Sequence, residues 1–168
     1  MLVSLTLSVL YVGSLTWVLW RFDQLGNVPG HLYAWFFLFQ ILALLMYGSV
    51  FLAIGAACNE IRDAQSLMMP VMMVVMIPYL MFMPVLQSPA SPFSRAISLF
   101  PPATPMLMFL RLAIPPGPAW WEVALGLVLT TAFMLGCVWA GAKIFRIGIL
   151  SQGQAPSIPK LMKWVLSK

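Results

Sequence analysis

The stretch NEIRDAQSLMMPVMMVVMIPYLMFMP, residues 59–84, decides how the chain folds. It opens with a charged and polar cluster and then runs for about 20 residues without a charged side chain, which is long enough to cross a hydrocarbon core roughly 30 Å thick. The cluster consists of Asn59, Glu60, Arg62, Asp63 and Gln65. We interpret the stretch as a charged hinge that leads into a transmembrane helix.

Three prolines interrupt this span: Pro70, Pro78 and Pro84. Each proline removes a backbone donor, and lipid tolerates the freed carbonyls only where protein or water satisfies them. The span is therefore predicted to pack inside a helical bundle. Its seven methionines favour packing against neighbouring helices over an adaptable hydrophobic path, because the thioether chain fills irregular gaps.

The composition of the whole chain agrees with a membrane protein. The 168 residues are 62% hydrophobic and 8% charged, whereas about a quarter of the residues in a soluble domain are charged. The net charge of +5 comes from sparse cations beside apolar stretches, which favours a membrane surface over nucleic acid as the partner. Cys58 and Cys137 belong to no CxxC or Cys/His grouping, so we predict neither a disulfide nor a metal site.

Four apolar stretches predict four transmembrane helices in an all-α integral membrane protein. They cover residues 2–20, 33–57, 66–86 and 120–145. Residues 1–150 then form the transmembrane domain. Residues 151–168 form a cytoplasmic amphipathic tail, in which apolar and lysine side chains occupy opposite faces.

Residues 87–118 are rich in proline, and no uninterrupted piece reaches the length of a span. We expect two short helices, at 93–100 and 105–114, that form a re-entrant pair dipping into one face of the membrane. Pro101, Pro102 and Pro105 lie where the two helices meet. For Arg111 two environments are open: a water-filled vestibule, or a side chain that extends to the headgroups.

The distribution of cations predicts the orientation. Five cations follow the centre of the last span without an acid among them: Lys143, Arg146, Lys160, Lys163 and Lys168. Cytoplasmic segments carry such an excess, so the C-terminus is expected in the cytoplasm. With four spans the N-terminus is cytoplasmic too, the charged hinge faces inward and the re-entrant pair faces outward.

Two further patterns concern packing and coupling. Ala132, Gly136 and Ala140 are spaced four residues apart, a seam of small residues suited to close contact with another helix. The charged hinge has two interpretations: a contact with a cytoplasmic partner, or a helix boundary that Asp63 or Ser66 caps.

The spans contain none of the residues that intramembrane catalysis requires. No Asp, Glu, His, Lys or Arg lies near their centres, and the chain has neither a GxSxG motif nor a GxxxxGK[ST] phosphate loop. We therefore expect no catalytic site, no metal and no bound cofactor. Energy for any transport has to come from a partner.

Three segments resemble one transporter family. RIGILSQGQAPSIPKLMKW (146–164), IGAACNEIRDAQSLMMP (54–70) and SLFPPATPMLMFLRL (98–112) are similar, in this order, to the tail, inner loop and external re-entrant helices of ABC-2 type permeases of the sodium-efflux (NatB-like) subgroup. The resemblance covers only the last four spans of such a permease. Lys160 departs from it, since an acidic residue is expected there.

This resemblance implies a permease subunit, or its C-terminal part, of an ABC exporter in a prokaryotic plasma membrane. It would pair with a second copy and with cytoplasmic ATPase chains that bind the ATP, and it would move cargo by alternating access. The hinge residues would provide the coupling contact, and Pro101, Pro102, Pro105 and Arg111 the gate. The alternative is a non-transporting scaffold or a truncated permease remnant. Sodium, a drug, a lipid or a peptide are all compatible as cargo.

Overall fold

The computed structural model describes residues 2–22, 29–58 and 61–150, and these ranges contain helices and no strand. The all-α prediction is therefore confirmed for this part of the chain. The six helices are α1 (Leu2–Arg21), α2 (His31–Ala57), α3 (Ile61–Gln87), α4 (Pro92–Ser98), α5 (Thr104–Ala113) and α6 (Trp120–Leu150). The tail, residues 151–168, lies outside the described residues.

Three of the described helices are long and apolar enough to cross a membrane: α2, α3 and the Trp120–Arg146 part of α6. They correspond to three of the four predicted spans. Residues 2–20 also lie in a helix, α1, which is not among these three. The fourth span stays a prediction.

Helices α2 and α6 pack along each other and run in the same direction. Phe39 and Val123, near their beginnings, belong to one core cluster, while Ser49 and Gly141, near their ends, lie in direct contact. Helix α3 follows α2 in the chain and runs in the opposite direction. It therefore begins near the end of α2 and ends near the beginning of α6. We call these two sides the turn end, where α2 leads into α3, and the hairpin end, where α3 leads through α4 and α5 into α6.

Helices α4 and α5 form a hairpin that reaches far into the bundle. The hydroxyl of Tyr47, near the middle of α2, donates a hydrogen bond of 2.6 Å to the carbonyl of Pro102 in the α4–α5 turn. The side chain of Ser91 caps the first turn of α4 by accepting from the Ser94 N–H. Two short helices separated at Pro101 and Pro102 are thus observed as predicted. Their re-entry into a membrane stays a prediction.

The hairpin occupies the position that the sequence suggested for α3. In the most apolar 18 residues of each long helix, the buried share is 28% for α2 and 22% for α6, but only 11% for α3. Five methionines of α3 are exposed: Met69, Met72, Met73, Met76 and Met83. The prediction that α3 packs inside the bundle is wrong within the described residues, because α5 packs between α2, α3 and α6 and leaves α3 at the periphery.

The predicted seam of Ala132, Gly136 and Ala140 does not supply the closest contacts of α6 within the described residues, and its packing against another helix stays a prediction. Ala132 and Gly136 are exposed, and a Cβ added at Gly136 would meet nothing within 4 Å. The close contacts of α6 are instead made at Gly126, against α5, and at Gly141, against Ser49 of α2. At about 100° per residue, Gly136 at the centre of the predicted seam lies roughly 100° around the helix from the face that carries Gly126 and Thr130.

Candidate functional site

A buried ion pair holds the hairpin at the hairpin end. Arg111 of α5 donates from Nη2 to Glu122 of α6, and their side chains are only 3% and 2% exposed. Arg111 also donates from Nε to the carbonyl of Pro89 at 2.9 Å and from Nη1 to the hydroxyl of Ser98 at 2.8 Å. One guanidinium group therefore joins the α3–α4 turn, α4 and α6, because its donors project in a fixed fork.

Glu122 owes its position to the start of α6. It lies in the first turn of the helix, where the positive end of the helix dipole favours a carboxylate. Its second carboxylate oxygen lies 3.4 Å from Nε of Arg95 on α4, whose side chain is 54% exposed. Glu122 thus contacts both helices of the hairpin, one through a buried cation and one through a solvated cation.

Serine hydroxyls complete the network around α4. Ser94 donates to the carbonyl of Ser88 at 2.7 Å, and Ser98 donates to the carbonyl of Arg95 at 3.0 Å while it accepts from Arg111. Both serines are completely buried. A buried polar network of this kind fixes a single arrangement, because each group that loses its partner would be left without hydration.

The arrangement is suited to holding rather than to catalysis. Arg111 and Glu122 compensate each other's charge, and burial keeps both away from solvent. Desolvating the two ions costs several kcal/mol per ion, so the pair is stable only while both partners are present. The hairpin and the first turn of α6 are therefore joined by a buried ion pair.

The structure places Arg111 in neither of the two environments left open by its sequence. All three nitrogen atoms of its guanidinium group donate hydrogen bonds to protein acceptors, and one of these acceptors is the carboxylate of Glu122. Of the prolines assigned to the gate, Pro102 is buried and accepts from Tyr47, Pro101 is half-buried, and Pro105 lies in the first turn of α5. Whether these residues open and close stays a prediction.

The sequence analysis missed Glu122. A signal was present, because Arg111 and Glu122 are the only charged residues between Arg95 and Lys143. They have opposite charges and lie on either side of a short turn. In that turn Gly117 has φ +75°, a conformation that favours glycine. One acidic and one basic residue this close together in an otherwise apolar sequence indicate an ion pair.

The charged hinge is only partly described. Asn59 and Glu60 lie outside the described residues, while Arg62 and Asp63 lie in the first turn of α3. Because α3 already begins at Ile61, neither Asp63 nor Ser66 is its N-cap; the Ser66 hydroxyl donates to the Asp63 carbonyl at 2.8 Å. Nearby, burial and then the charge of Asp63 raise the pKa of the Cys58 thiol, which follows the last turn of α2.

The described residues also enclose a cleft and a smaller cavity at opposite ends of the bundle. A cleft of about 610 Å³ lies at the hairpin end between α1, the start of α2 and the end of α5, with Tyr33, Phe36 and Phe109 in its wall. A smaller cavity of about 300 Å³ lies at the turn end between α2, α3 and α6. The second one is lined almost completely by apolar atoms.

A family model described as ABC-2 family transporter protein matches residues 1–143. The chain belongs to the ABC-2 transporter family. This membership indicates a membrane part of a transporter. The sodium-efflux subgroup stays a prediction, since the matching family model does not specify a subgroup.

Two relatives are uncharacterized proteins. YhaP of Bacillus subtilis (strain 168) is 29% identical over 119 residues, which is 70% of this chain and 28% of YhaP. MJ1024 of Methanocaldococcus jannaschii is 22% identical over 135 residues, which is 78% of this chain and 32% of MJ1024. The chain thus spans about a third of the length of these relatives or less. No solved structure gives a significant match.

Proposed function

We propose that the chain is a membrane-spanning permease subunit, or the C-terminal part of one, of an ABC exporter driven by separate cytoplasmic ATPase chains. Membership of the ABC-2 family supports a role in transport. The observation that carries the proposal is the hairpin fixed by Arg111 and Glu122, with its turn bonded to Tyr47 in the middle of α2. This hairpin closes the bundle at one end, as a gate on a transport path does.

The proposed mechanism is mechanical and uses alternating access. Closure of the ATPases acts at the turn end, on the coupling residues Asn59, Glu60, Arg62 and Asp63. Helix α3 transmits the displacement, since it is peripheral and continues through a short turn into α4. The hairpin and the start of α6 move together, because Glu122 joins them. A second permease copy completes the path, and the exposed Ala132 and Gly136 of α6 offer it a surface.

The orientation proposed is that of a prokaryotic inner membrane protein with both termini in the cytoplasm. Cysteines introduced at Ala90, at the hairpin end, and at Arg62, at the turn end, test it in a background that lacks Cys58 and Cys137. An impermeant maleimide added to intact cells is expected to label Ala90→Cys and to reach Arg62→Cys only after lysis. The opposite pattern would reverse the orientation.

Coupling is tested by co-purification with a cytoplasmic ATPase. The triple variant Glu60→Ala, Arg62→Ala, Asp63→Ala is expected to retain about a tenth or less of the bound ATPase, a loss of roughly 1.4 kcal/mol. Arg95→Ala is the matched control, because it removes an exposed charge at the opposite end. Equal binding by both variants would show that the hinge is only a helix boundary. Absence of any bound ATPase would favour the scaffold over the transporter.

A further inference from the structure

The hairpin is attached to the bundle at two places that differ in strength. Its base, next to the start of α6, is held by Arg111, which donates three hydrogen bonds and pairs with the carboxylate of Glu122. Its tip, the α4–α5 turn of residues 99–103, accepts a hydrogen bond between neutral groups, from the Tyr47 hydroxyl to the Pro102 carbonyl. Charge-assisted hydrogen bonds are roughly twice as strong as neutral ones, so the base is held more firmly than the tip.

Apolar contacts connect the tip to α3. Ala103 and Leu107 form one core cluster with Val85 of α3, and all three are completely buried. Contacts of this kind have no fixed direction, and in a membrane hydrocarbon can replace them, because lipid tails are as apolar as these side chains. They therefore hold the tip without fixing one position, and a displacement of α3 reaches the tip directly through Val85.

The carbonyl of Pro102 makes the position of the tip depend on Tyr47. Pro102 is buried, and its carbonyl lies beside the middle of α2. A buried carbonyl that loses its donor is left without hydration, which is costly. The tip is therefore stable in the bundle while Tyr47 donates to it. Without that bond a withdrawn position, in which water reaches the carbonyl, is favoured.

We propose that the Tyr47 hydroxyl is the latch of the hairpin. When its bond to Pro102 breaks, the tip swings away from α2, while Arg111 and Glu122 act as the pivot that keeps the base on α6. Helix α3 supplies the force, because Val85 packs against the tip. The inference deepens the proposed function and rests on it for the role of the hairpin as a gate, but release of the tip is a property of the isolated chain.

The test compares the tip with the base in the purified chain in detergent, without an ATPase. The reporters are Ala103→Cys at the tip and Val123→Cys at the base, both at buried positions, in a background in which Cys58 and Cys137 are alanine. A buried thiol reacts with N-ethylmaleimide from the open form, so the rate reports how often each site opens. Tyr47→Phe removes one neutral hydrogen bond and should raise the rate at the tip about threefold to tenfold, with no change at the base.

Thr130→Val is the matched control, since it removes a completely buried hydroxyl of α6 that has no hydrogen-bond partner among the described residues. Both rates should stay unchanged in this variant. Hydrogen exchange of residues 103–107 and 122–126, followed by mass spectrometry, repeats the comparison without cysteines if Ala103→Cys does not fold.

Three results would overturn the proposal: no faster reaction at the tip in Tyr47→Phe, an equal rise at tip and base, or the same rise in Thr130→Val. An equal rise would mean that Tyr47 stabilises the whole fold rather than the tip. Because no ATPase is present in this test, a chain that binds no ATPase would contradict the proposed function and leave the result for the latch unaffected.

Discussion

At the hairpin end, the space among α2, α3 and α6 is filled by α4 and α5, whereas at the turn end the same three helices leave a cavity of about 300 Å³. The filled end contains a buried ion pair and buried serines. The open end contains apolar side chains and has its charged groups at the margin. The comparison indicates that polar groups fix the geometry at one end, while apolar side chains enclose a cavity at the other.

The difference also separates the two roles of a transporter's membrane part. A gate has to return to one defined closed arrangement, which a satisfied polar network provides. A coupling region has to yield to an external force, which weakly packed helices allow. Three predictions follow from this contrast, and each measures how rigid one end is relative to the other.

The largest effect is expected from Glu122→Gln. The variant keeps the shape of the side chain but leaves the Arg111 guanidinium buried without a counter-ion, which costs about 3–5 kcal/mol. Thermal unfolding in detergent, followed by circular dichroism, measures the loss. Arg95→Gln is the control, because its exposed pair contributes about 0–1 kcal/mol. Equal losses in the two variants would show that the buried pair does not hold the hairpin.

An intermediate effect is expected at the glycines of α6. A Cβ at Gly141 would lie 2.9 Å from the backbone oxygen of Ser49, so Gly141→Ala forces α2 and α6 apart at a cost of about 1–3 kcal/mol. Gly126→Ala should cost less, since its nearest neighbour is the flexible end of Met108. Gly136→Ala, which meets nothing, should be stabilising by about 0.4–1 kcal/mol. The same unfolding assay ranks the three, and a different order would contradict the packing of α2 on α6.

The smallest effect concerns Cys58 at the turn end. Burial, and to a lesser extent the charge of Asp63, raises the pKa of its thiol. Less thiolate is then present at neutral pH, so alkylation by N-ethylmaleimide should be slow there and rise at a higher pH than for an ordinary thiol. Asp63→Asn should move the profile part of the way back to lower pH. The alkylation rate is measured against pH in a Cys137→Ala background. An unchanged profile in Asp63→Asn would show that the Asp63 carboxylate does not influence the Cys58 thiol.

Much of the fold follows from the sequence because apolar length and proline position are local signals. They predict α2, α3, α6 and the division of the hairpin at Pro101 and Pro102. Which helix lies in the centre is not a local property. The prolines of α3 suggested that this helix lies in the centre of the bundle. The short α5 lies there instead, as its completely buried Leu107 and Met108 show.

The candidate site shows the same limit. Arg111 is recognisable as an unusual residue in apolar sequence, but its environment depends on where α6 begins relative to α5. Ala132 and Gly136 belong to a local small-residue pattern but are exposed, whereas Gly126 and Gly141, which make the close contacts, are fifteen residues apart and form no obvious motif. Contacts between residues far apart in the sequence determine both the environment of Arg111 and the contact face of α6.

The central claim is that the direct pairing of Arg111 with Glu122 fixes the hairpin to α6. A charge exchange tests it most directly, with Arg111→Glu, Glu122→Arg and the double variant compared by thermal unfolding in detergent. Each single variant places two like charges in a buried site and should lose at least about 3 kcal/mol, while the double variant should recover a large part of that loss. Losses that simply add in the double variant would contradict the account.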